Sequence, residues 1–592
     1  METNLRSLAH SYPHLPFAAY LLFVAVFLGV QMFQGFSWLD IGMYMSGVEH
    51  FNSDPYASAF LGQWIMTYNV TGWLCRWLSV DSFMGLRVMH LIYVLIAQTI
   101  VYIYMIRYMP RRYALLGLLL TTLAHYGSYT ELNYNDYSAF LLMLSLMAFH
   151  EGAVRNRRWL ILAAGIASGA AVFFRIVNIT YAAIPLLSCL LSMRWQVAMK
   201  PCRRLLFFYI GMAAGMLAML ALLWMQGLLG VFAITVGDVF GIFTDKGDSH
   251  GMLYVMRSLY NLYAGIVANA VFLILMWLIV RQAFRQQGRS VRFILLGVAF
   301  VLTLLMMNFS YFPSNITMGV CLMGCLALYF RGDTSPSLAH LYMMSLFMPL
   351  VMPAGSNAEP SFYGKELCFL ALPLSLGLVA SAVRSSAFGN ALTGGAGEVK
   401  HTLKDNINTS STDINTPNTD IKTPSADISV PIADIRPLWW SYGIVAFGLL
   451  FFNFAHKQME DGNRMACRYA IDSALTRGIL TTADNAGMHN YLLRELRPRV
   501  PRGSYMICQF SLPMVSLMEC RPWAVYSTVY STDRMNSRYI SVAWQHTHCL
   551  PYVLIDRESE LPGYVHILRQ LNKIRPYRRV WTDGRYELYY VK

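Results

Sequence analysis

The chain has 592 residues, of which 56% are hydrophobic and 13% charged, with a mean hydropathy of +0.42 and a formal net charge of +14. Soluble domains carry about 25% charged residues, so this composition excludes a soluble globular enzyme and points to apolar runs that cross a bilayer. The positive charge does not call for a nucleic-acid partner, because part of it comes from short arginine clusters between apolar runs, where they orient membrane spans.

Crossing about 30 Å of hydrocarbon takes about 20 apolar residues in a helix. By that measure spans are expected near 16–33, 86–106, 113–127, 137–150, 159–174, 178–193, 205–226, 261–280, 293–310, 316–330, 338–353, 367–383 and 438–454. That makes about 11 to 13 spans, some of them short. The first segment lacks a small-residue cleavage site and is expected to be retained as a span.

With a cytoplasmic N-terminus, the clusters Arg107/Arg111/Arg112, Arg155/Arg157/Arg158, Arg194/Lys200/Arg203/Arg204 and Arg281/Arg285/Arg289/Arg292 all fall inside. Asp40, Glu49, Asp54, Asp81, Glu131, Asp136, Asp238, Asp245, Asp248, Glu359 and Glu366 then face the periplasmic or extracellular side.

Three outward stretches can carry chemistry, since an ionisable group at the membrane edge is costly and calls for a reason. The first outer loop, 34–85, is amphipathic and aromatic and reads as helices lying at the membrane surface. Its Asp40 suits a general base that takes a proton from an acceptor hydroxyl, or equally the start of a helix. The second stretch, HYGSYTELNYNDYSAF, holds Glu131, Asn133, Asn135 and Asp136. Two carboxylates interleaved with Asn and Tyr can bind a divalent cation or a sugar, while a polar turn with Asp136 as helix cap is the simpler alternative. The third is FFRIVN, where Arg175 interrupts a long apolar run at an outer junction. It is suited to gripping a phosphate, or to snorkelling toward a loop carboxylate.

Residues 384–437 are rich in Thr, Asn and Pro and repeat a seven-residue unit (TDINTPN, TDIKTPS, ADISVPI, ADIRPLW). The period is that of a coiled coil, but a Pro in every unit forbids a continuous helix, so a flexible cytoplasmic linker is expected. The polytopic domain thus covers 1–383, the last span 438–454 and a small outer α/β domain 455–592. In that domain SYMICQF, WAVYSTVY, YISVAW, PYVLID and YELYYVK read as strands, and DNAGMHNYLLRELRP and PGYVHILRQLNKI as amphipathic helices. Cys467, Cys508, Cys520 and Cys549 lie there, where an oxidising compartment would permit one or two disulfides. His546 and His548 read as a surface turn and not a metal site.

A long first outer loop opening with Asp40, a second acidic outer turn, Arg175-x-x-Asn178, the number of spans and a small outer α/β domain resemble the GT-C glycosyltransferase superfamily. Within it the pattern is similar to the bacterial family 39 type, which includes protein O-mannosyltransferases and the lipid A aminoarabinose transferase. It is similar also to a set of uncharacterised Bacteroidetes membrane proteins whose first loop opens GF-x-x-x-D-x-G. Many members carry Asp-Glu at this point, whereas here Ile41 follows Asp40.

The resemblance implies an inverting membrane glycosyltransferase of the bacterial inner membrane, with its C-terminal domain periplasmic. Its donor would be a polyprenyl-phosphate-linked sugar, its acceptor a lipid, glycan or protein, and no nucleotide sugar would be needed. Asp40 would be the base. Arg175, with Lys246, Arg257 or Lys365, would hold the departing lipid phosphate, and Glu131, Asn135 and Asp136 would position the sugar or a divalent cation. A flippase for lipid-linked saccharides would use the same spans but predicts internal repeats and mid-span charges. An oligosaccharide polymerase or ligase predicts a long outer loop late in the membrane domain, and here the long loop comes early.

Overall fold

A computed structural model describes residues 14–36, 40–124, 131–242, 252–286, 288–307, 312–330, 334–351, 360–384, 436–455, 461–508, 510–524, 533–558 and 563–591. The expected linker 384–437 lies almost wholly outside the described residues.

The membrane part begins with α1 (Leu15–Gln31). The first outer loop then forms α2 (Asp40–His50), a 3-10 segment (Ala59–Trp64) and α3 (Ile65–Leu78), short helical pieces as its amphipathic pattern predicts. The helices that follow are α4 (Phe83–Met105), α5 (Arg111–Leu123), α6 (Tyr134–Val154), α7 (Arg158–Ala171), α8 (Ile184–Leu191), α9 (Pro201–Met225), α10 (Leu229–Ile242), α11 (Met252–Arg285), α12 (Arg289–Met307), α13 (Phe312–Phe330), α14 (Pro336–Val351), α15 (Pro360–Arg384) and α16 (Arg436–Ala455).

Five stretches of described helix are long and apolar enough to cross a membrane: Phe83–Met105, Tyr134–Val154, Pro201–Met225, Tyr263–Arg285 and Arg289–Met306. Shorter apolar helices accompany them, including Leu15–Gln31, Arg158–Ala171 and Phe369–Val383. The chain is therefore a multi-pass membrane protein. Outward-pointing apolar side chains on α9 and α12 (Leu217, Phe293, Ile294) are exposed, as the hydrocarbon requires of a lipid-facing surface.

Two local features depart from a simple series of spans. The run 158–191 breaks at Arg175 into α7, a 3-10 segment (Ile176–Ala183) and α8. Helix α10 was not expected, because its 14 residues fall short of the ~20 that a spanning helix requires. It packs instead on the first outer loop, where Thr235 Oγ1 donates to Ala59 O at 3.1 Å.

The C-terminal domain has β1 (Tyr469–Ala470) paired with β2 (Leu480–Thr481), then α17 (Ala483–Leu496), β3 (Tyr505–Cys508), α18 (Pro513–Leu517), β4 (Arg521–Pro522), α19 (Asp533–Thr547), β5 (Tyr552–Asp556), α20 (Gly563–Ile574), β6 (Tyr577–Thr582) and β7 (Tyr586–Val591). Its main sheet runs β4-β3-β5-β7-β6, with β3 parallel to both neighbours and β7 antiparallel to both of its own. Helices fill the parallel connections, which cannot be closed by tight turns.

Two expectations are corrected here. The YISVAW stretch is helical, within α19: Tyr539, Ile540 and Ala543 are its buried side chains, a spacing of one helical turn that β-branched content had disguised as a strand. Cys467, Cys508, Cys520 and Cys549 are free thiols, and burial pushes the first three up to about 12. Of WAVYSTVY only Trp523 and Ala524 are described, past the end of β4.

The domain sits on the end of the bundle that holds the first outer loop. Gln34 and Leu480 form a parallel bridge, and Arg464 Nε–H donates to Asn453 O at 2.9 Å near the end of α16. The opposite end carries arginines of the short inter-helical connections, where Glu151 at the end of α6 pairs with Arg155 at 2.7 Å and Arg107 at 3.7 Å.

Candidate active site

The backbone leading into Asp40 is clamped from both sides. Arg87 of α4, 1% exposed, donates through Nη1 to Met32 O at 2.5 Å, through Nη2 to Gly35 O at 2.7 Å, and through Nε to Glu131 Oε1 at 2.5 Å. From the C-terminal domain, buried Asp461 accepts from Phe36 N–H at 2.8 Å and from the Thr481 and Thr482 hydroxyls. Asn485 Nδ2 donates to Phe36 O at 2.9 Å. Asp40 opens α2 four residues after Phe36, so membrane bundle and C-terminal domain jointly fix where that helix starts.

The three stretches singled out by sequence meet on one ring. Tyr44, one turn beyond Asp40, has its ring centroid 5.9 Å from Tyr134 at the start of α6. Tyr134 stacks on Trp64 at 5.1 Å, and the Arg175 guanidinium carbon lies 5.9 Å from the Tyr134 ring. Arg175 is 6% exposed and extended, just after α7 ends. Asn178 holds that break in place by donating Nδ2–H to Ala171 O at 2.7 Å and Ser138 Oγ at 2.9 Å. The Arg-x-x-Asn motif thus divides its labour: the Asn fastens the turn and the Arg is presented by it.

The acidic turn is tied to protein groups. Glu131 is buried against Arg87. Asn133, not Asp136, caps α6, and Asp136 completes the capping box by accepting from Asn133 N–H at 3.0 Å. The same carboxylate oxygen lies 2.9 Å from His90 Nδ1. Asn135 Oδ1, Asp136 Oδ1 and Asn178 Oδ1 are buried acceptors with no hydrogen-bond partner among the described residues. Orphaned acceptors of this kind are what a ligand rich in hydroxyl donors satisfies.

The side chains of Asp40 and Lys365 lie outside the described residues, as does Lys246 altogether; Arg257 is exposed on α11. Among the described residues no three His, Cys, Asp or Glu side chains converge as for a metal ion. The sequence reading passed over Arg87, His90, Tyr134 and Asp461. A visible signal existed for the first two, since FMGLRVMHLIY places an Arg and a His three residues apart in an otherwise apolar span.

Helix α2 presents its other face to the C-terminal domain. A Cβ at Gly42 would fall 1.9 Å from Pro513 N, and Ser46 Oγ lies 2.6 Å from Ser516 Oγ. At the end of this contact Glu49 is raised from 4.5 to about 7, chiefly by burial and further by Asp81, with the Ser516 hydroxyl opposing. His50 beside it is lowered by burial and by Arg521, with Asp54 opposing. A carboxyl raised in the folded state favours its protonated form, so its contribution to docking is present at low pH and lost as pH rises through about 7. Because His50, lowered from 6.5, contributes the opposite slope below that pH, the comparison decides: the melting temperature of wild type is expected to fall relative to that of Glu49→Gln as pH rises from about 5.5 to about 8.5, and a constant difference would assign the dependence elsewhere.

Fold and site together define a multi-pass membrane protein whose C-terminal α/β domain covers a polar, aromatic-lined site at one end of the helix bundle. No family model matches this chain, and no curated protein does. Among solved structures, the archaeal oligosaccharyltransferase AglB from Archaeoglobus fulgidus, in complex with an inhibitory peptide and a dolichol-phosphate, aligns over 95% of this chain and 71% of its own, with a TM-score of 0.48 at 14% identity. The apo form of the Archaeoglobus fulgidus oligosaccharyltransferase aligns over 93% and 71%, with a TM-score of 0.43 at 13% identity.

Proposed function

We propose that this chain is a GT-C-type membrane glycosyltransferase. It moves a sugar from a polyprenyl-phosphate donor to a lipid, glycan or protein acceptor at the periplasmic face of a bacterial inner membrane. The observation that carries the proposal is the meeting of the Asp40 helix, the acidic turn and a buried Arg175 on Tyr134. A carboxylate on a fixed helix start and a guanidinium at the membrane edge are the two groups that such a transfer needs.

In this mechanism Asp40 takes the proton from the acceptor hydroxyl as its oxygen attacks the anomeric carbon. The carbon–oxygen bond to the lipid phosphate breaks on the opposite face, inverting the centre, and the bond pair leaves with the phosphate. Arg175, with Arg257, Lys246 or Lys365, stabilises the charge that grows there. Asn135 and Asp136 offer to sugar hydroxyls the oxygens that have no partner among the described residues, and Glu131 acts through Arg87 on the position of α2. The placement of the arginine clusters at the end away from the C-terminal domain supports a periplasmic domain.

The test is purified full-length protein with a radiolabelled polyprenyl-phosphate sugar. Asp40→Asn is expected to slow transfer by about a hundredfold or more with donor binding retained. Arg175→Ala is expected to lower it by about 10² to 10³. Transfer that survives Asp40→Asn would remove the base, and donor movement across the bilayer without transfer would favour a flippase. A reporter fused after residue 60 and found in the cytoplasm would invert the topology.

A further inference from the structure

At the arginine-rich end, α12 and α16 run side by side in parallel. Phe300 meets Phe447 at 5.7 Å, and Phe284, at the end of α11, meets Trp440 at 6.2 Å. Between the two helices lies a groove of about 560 Å³ walled by Phe293, Phe300, Trp439 and Phe447, with Gly297 and Gly443 among its lining residues. A Cβ added at either glycine meets nothing within 4 Å, so neither is demanded by helix packing; what their absent side chains leave is the groove. Phe293 and Phe447 are more than half exposed.

The mouth of this groove is cationic. The Arg292 and Arg436 guanidinium carbons lie 5.6 and 5.7 Å from the Phe284 ring, and Arg285 and Arg289 are exposed at the same helix ends. The sequence holds no Asp or Glu between Asp248 and Asp333, nor between Asp434 and Glu460, so the described helices α11, α12 and α16 bring no carboxylate to the groove. Arg436 opens α16, whose other end is held by the C-terminal domain through Asn453 O. The mouth is therefore one helix length, ~30 Å, from that domain, at the depth of the opposite headgroup layer.

The geometry points to a binding site for an anionic glycerophospholipid, with an acyl chain in the aromatic groove and the phosphate across Arg292 and Arg436. Charge complementarity selects the headgroup, and the open, apolar, lipid-facing groove selects the chain. This site is separate from the proposed transfer site and does not depend on it.

Native mass spectrometry of the delipidated full-length protein, titrated with phosphatidylglycerol or phosphatidylcholine, tests it. Phosphatidylglycerol is expected to bind at least tenfold more tightly. Arg292→Gln and Arg436→Gln should each weaken it about fivefold, the equivalent of about 1 kcal/mol per guanidinium at the surface. Gly443→Leu, which fills the groove where space is open, should reduce binding of the same lipid with thermal stability unchanged. Equal binding of the two lipids would overturn the assignment, as would full phosphatidylglycerol binding by Gly443→Leu. A dimer that Gly443→Leu dissolves would also overturn it, by placing a second copy in the groove.

Discussion

Glu131→Leu is expected to destabilise the protein by about 3–5 kcal/mol, because it strands the Arg87 guanidinium, 1% exposed, without its counter-charge. Arg87→Met is expected to cost at least as much. It orphans Glu131 and also removes the donors to Met32 O and Gly35 O. The double variant Arg87→Met/Glu131→Leu should recover the part due to the unpaired charge while still lacking the two carbonyl clamps. A double-mutant cycle on melting in detergent separates these parts. The proposed sugar transfer adds a second readout: the segment that Arg87 clamps ends at Phe36, four residues before Asp40, so the double variant should fold and yet turn over slowly. Were Glu131 instead a direct sugar ligand with no structural duty, Glu131→Leu would melt like wild type and lose activity alone. A wild-type melting curve for that variant would therefore remove the clamp from this account.

The sequence made the membrane class legible because the signal is a sum over many residues: a missing half of the usual charge and recurrent apolar runs. It made the amphipathic helices α17 and α20 legible for the same reason, a long stretch with one period. What it did not disclose rests on pairs distant in the chain. Arg87 with Glu131, Phe36 with Asp461 and Tyr44 with Tyr134 have no local pattern, and Asp461 looks like any polar residue after a span. The acidic turn shows the limit at a single site. NYND is legible as a helix start, yet which oxygen is consumed by the capping box and which is left for a ligand depends on His90, 46 residues earlier on α4. Helix α19 reads as a strand in sequence because β-branched and aromatic residues fill four of the six positions of YISVAW and outvote a helical burial period.

The second large effect comes from glycines that let two helices touch. Gly165 and Gly169 of α7 and Gly211 and Gly215 of α9 form facing Gly-x-x-x-Gly pairs. A Cβ on them would fall 2.1 Å from Phe208 O, 2.2 Å from Met212 O, 2.2 Å from Leu162 O and 2.3 Å from Ile166 O. Every one of these obstacles is a backbone carbonyl, which cannot swing aside as a side-chain tip can, so any side chain must separate the helices. Helix α7 ends at Ala171, four residues before Arg175, and the turn that presents Arg175 is fastened to Ala171 O by Asn178. Displacement of α7 is therefore carried to the guanidinium. Gly165→Leu is expected to lower stability by about 3 kcal/mol or more, at or above the upper end for overpacking. Any protein that still folds should lose about a hundredfold in transfer, the scale of a 1 Å misplacement. Gly169→Ala should show the same loss in smaller measure. Gly29→Ala on α1, where a Cβ meets nothing within 4 Å, supplies the control and should be neutral or slightly stabilising. If Gly165→Leu melted and turned over like Gly29→Ala, the close helix contact would not be what holds Arg175 in register with Tyr134.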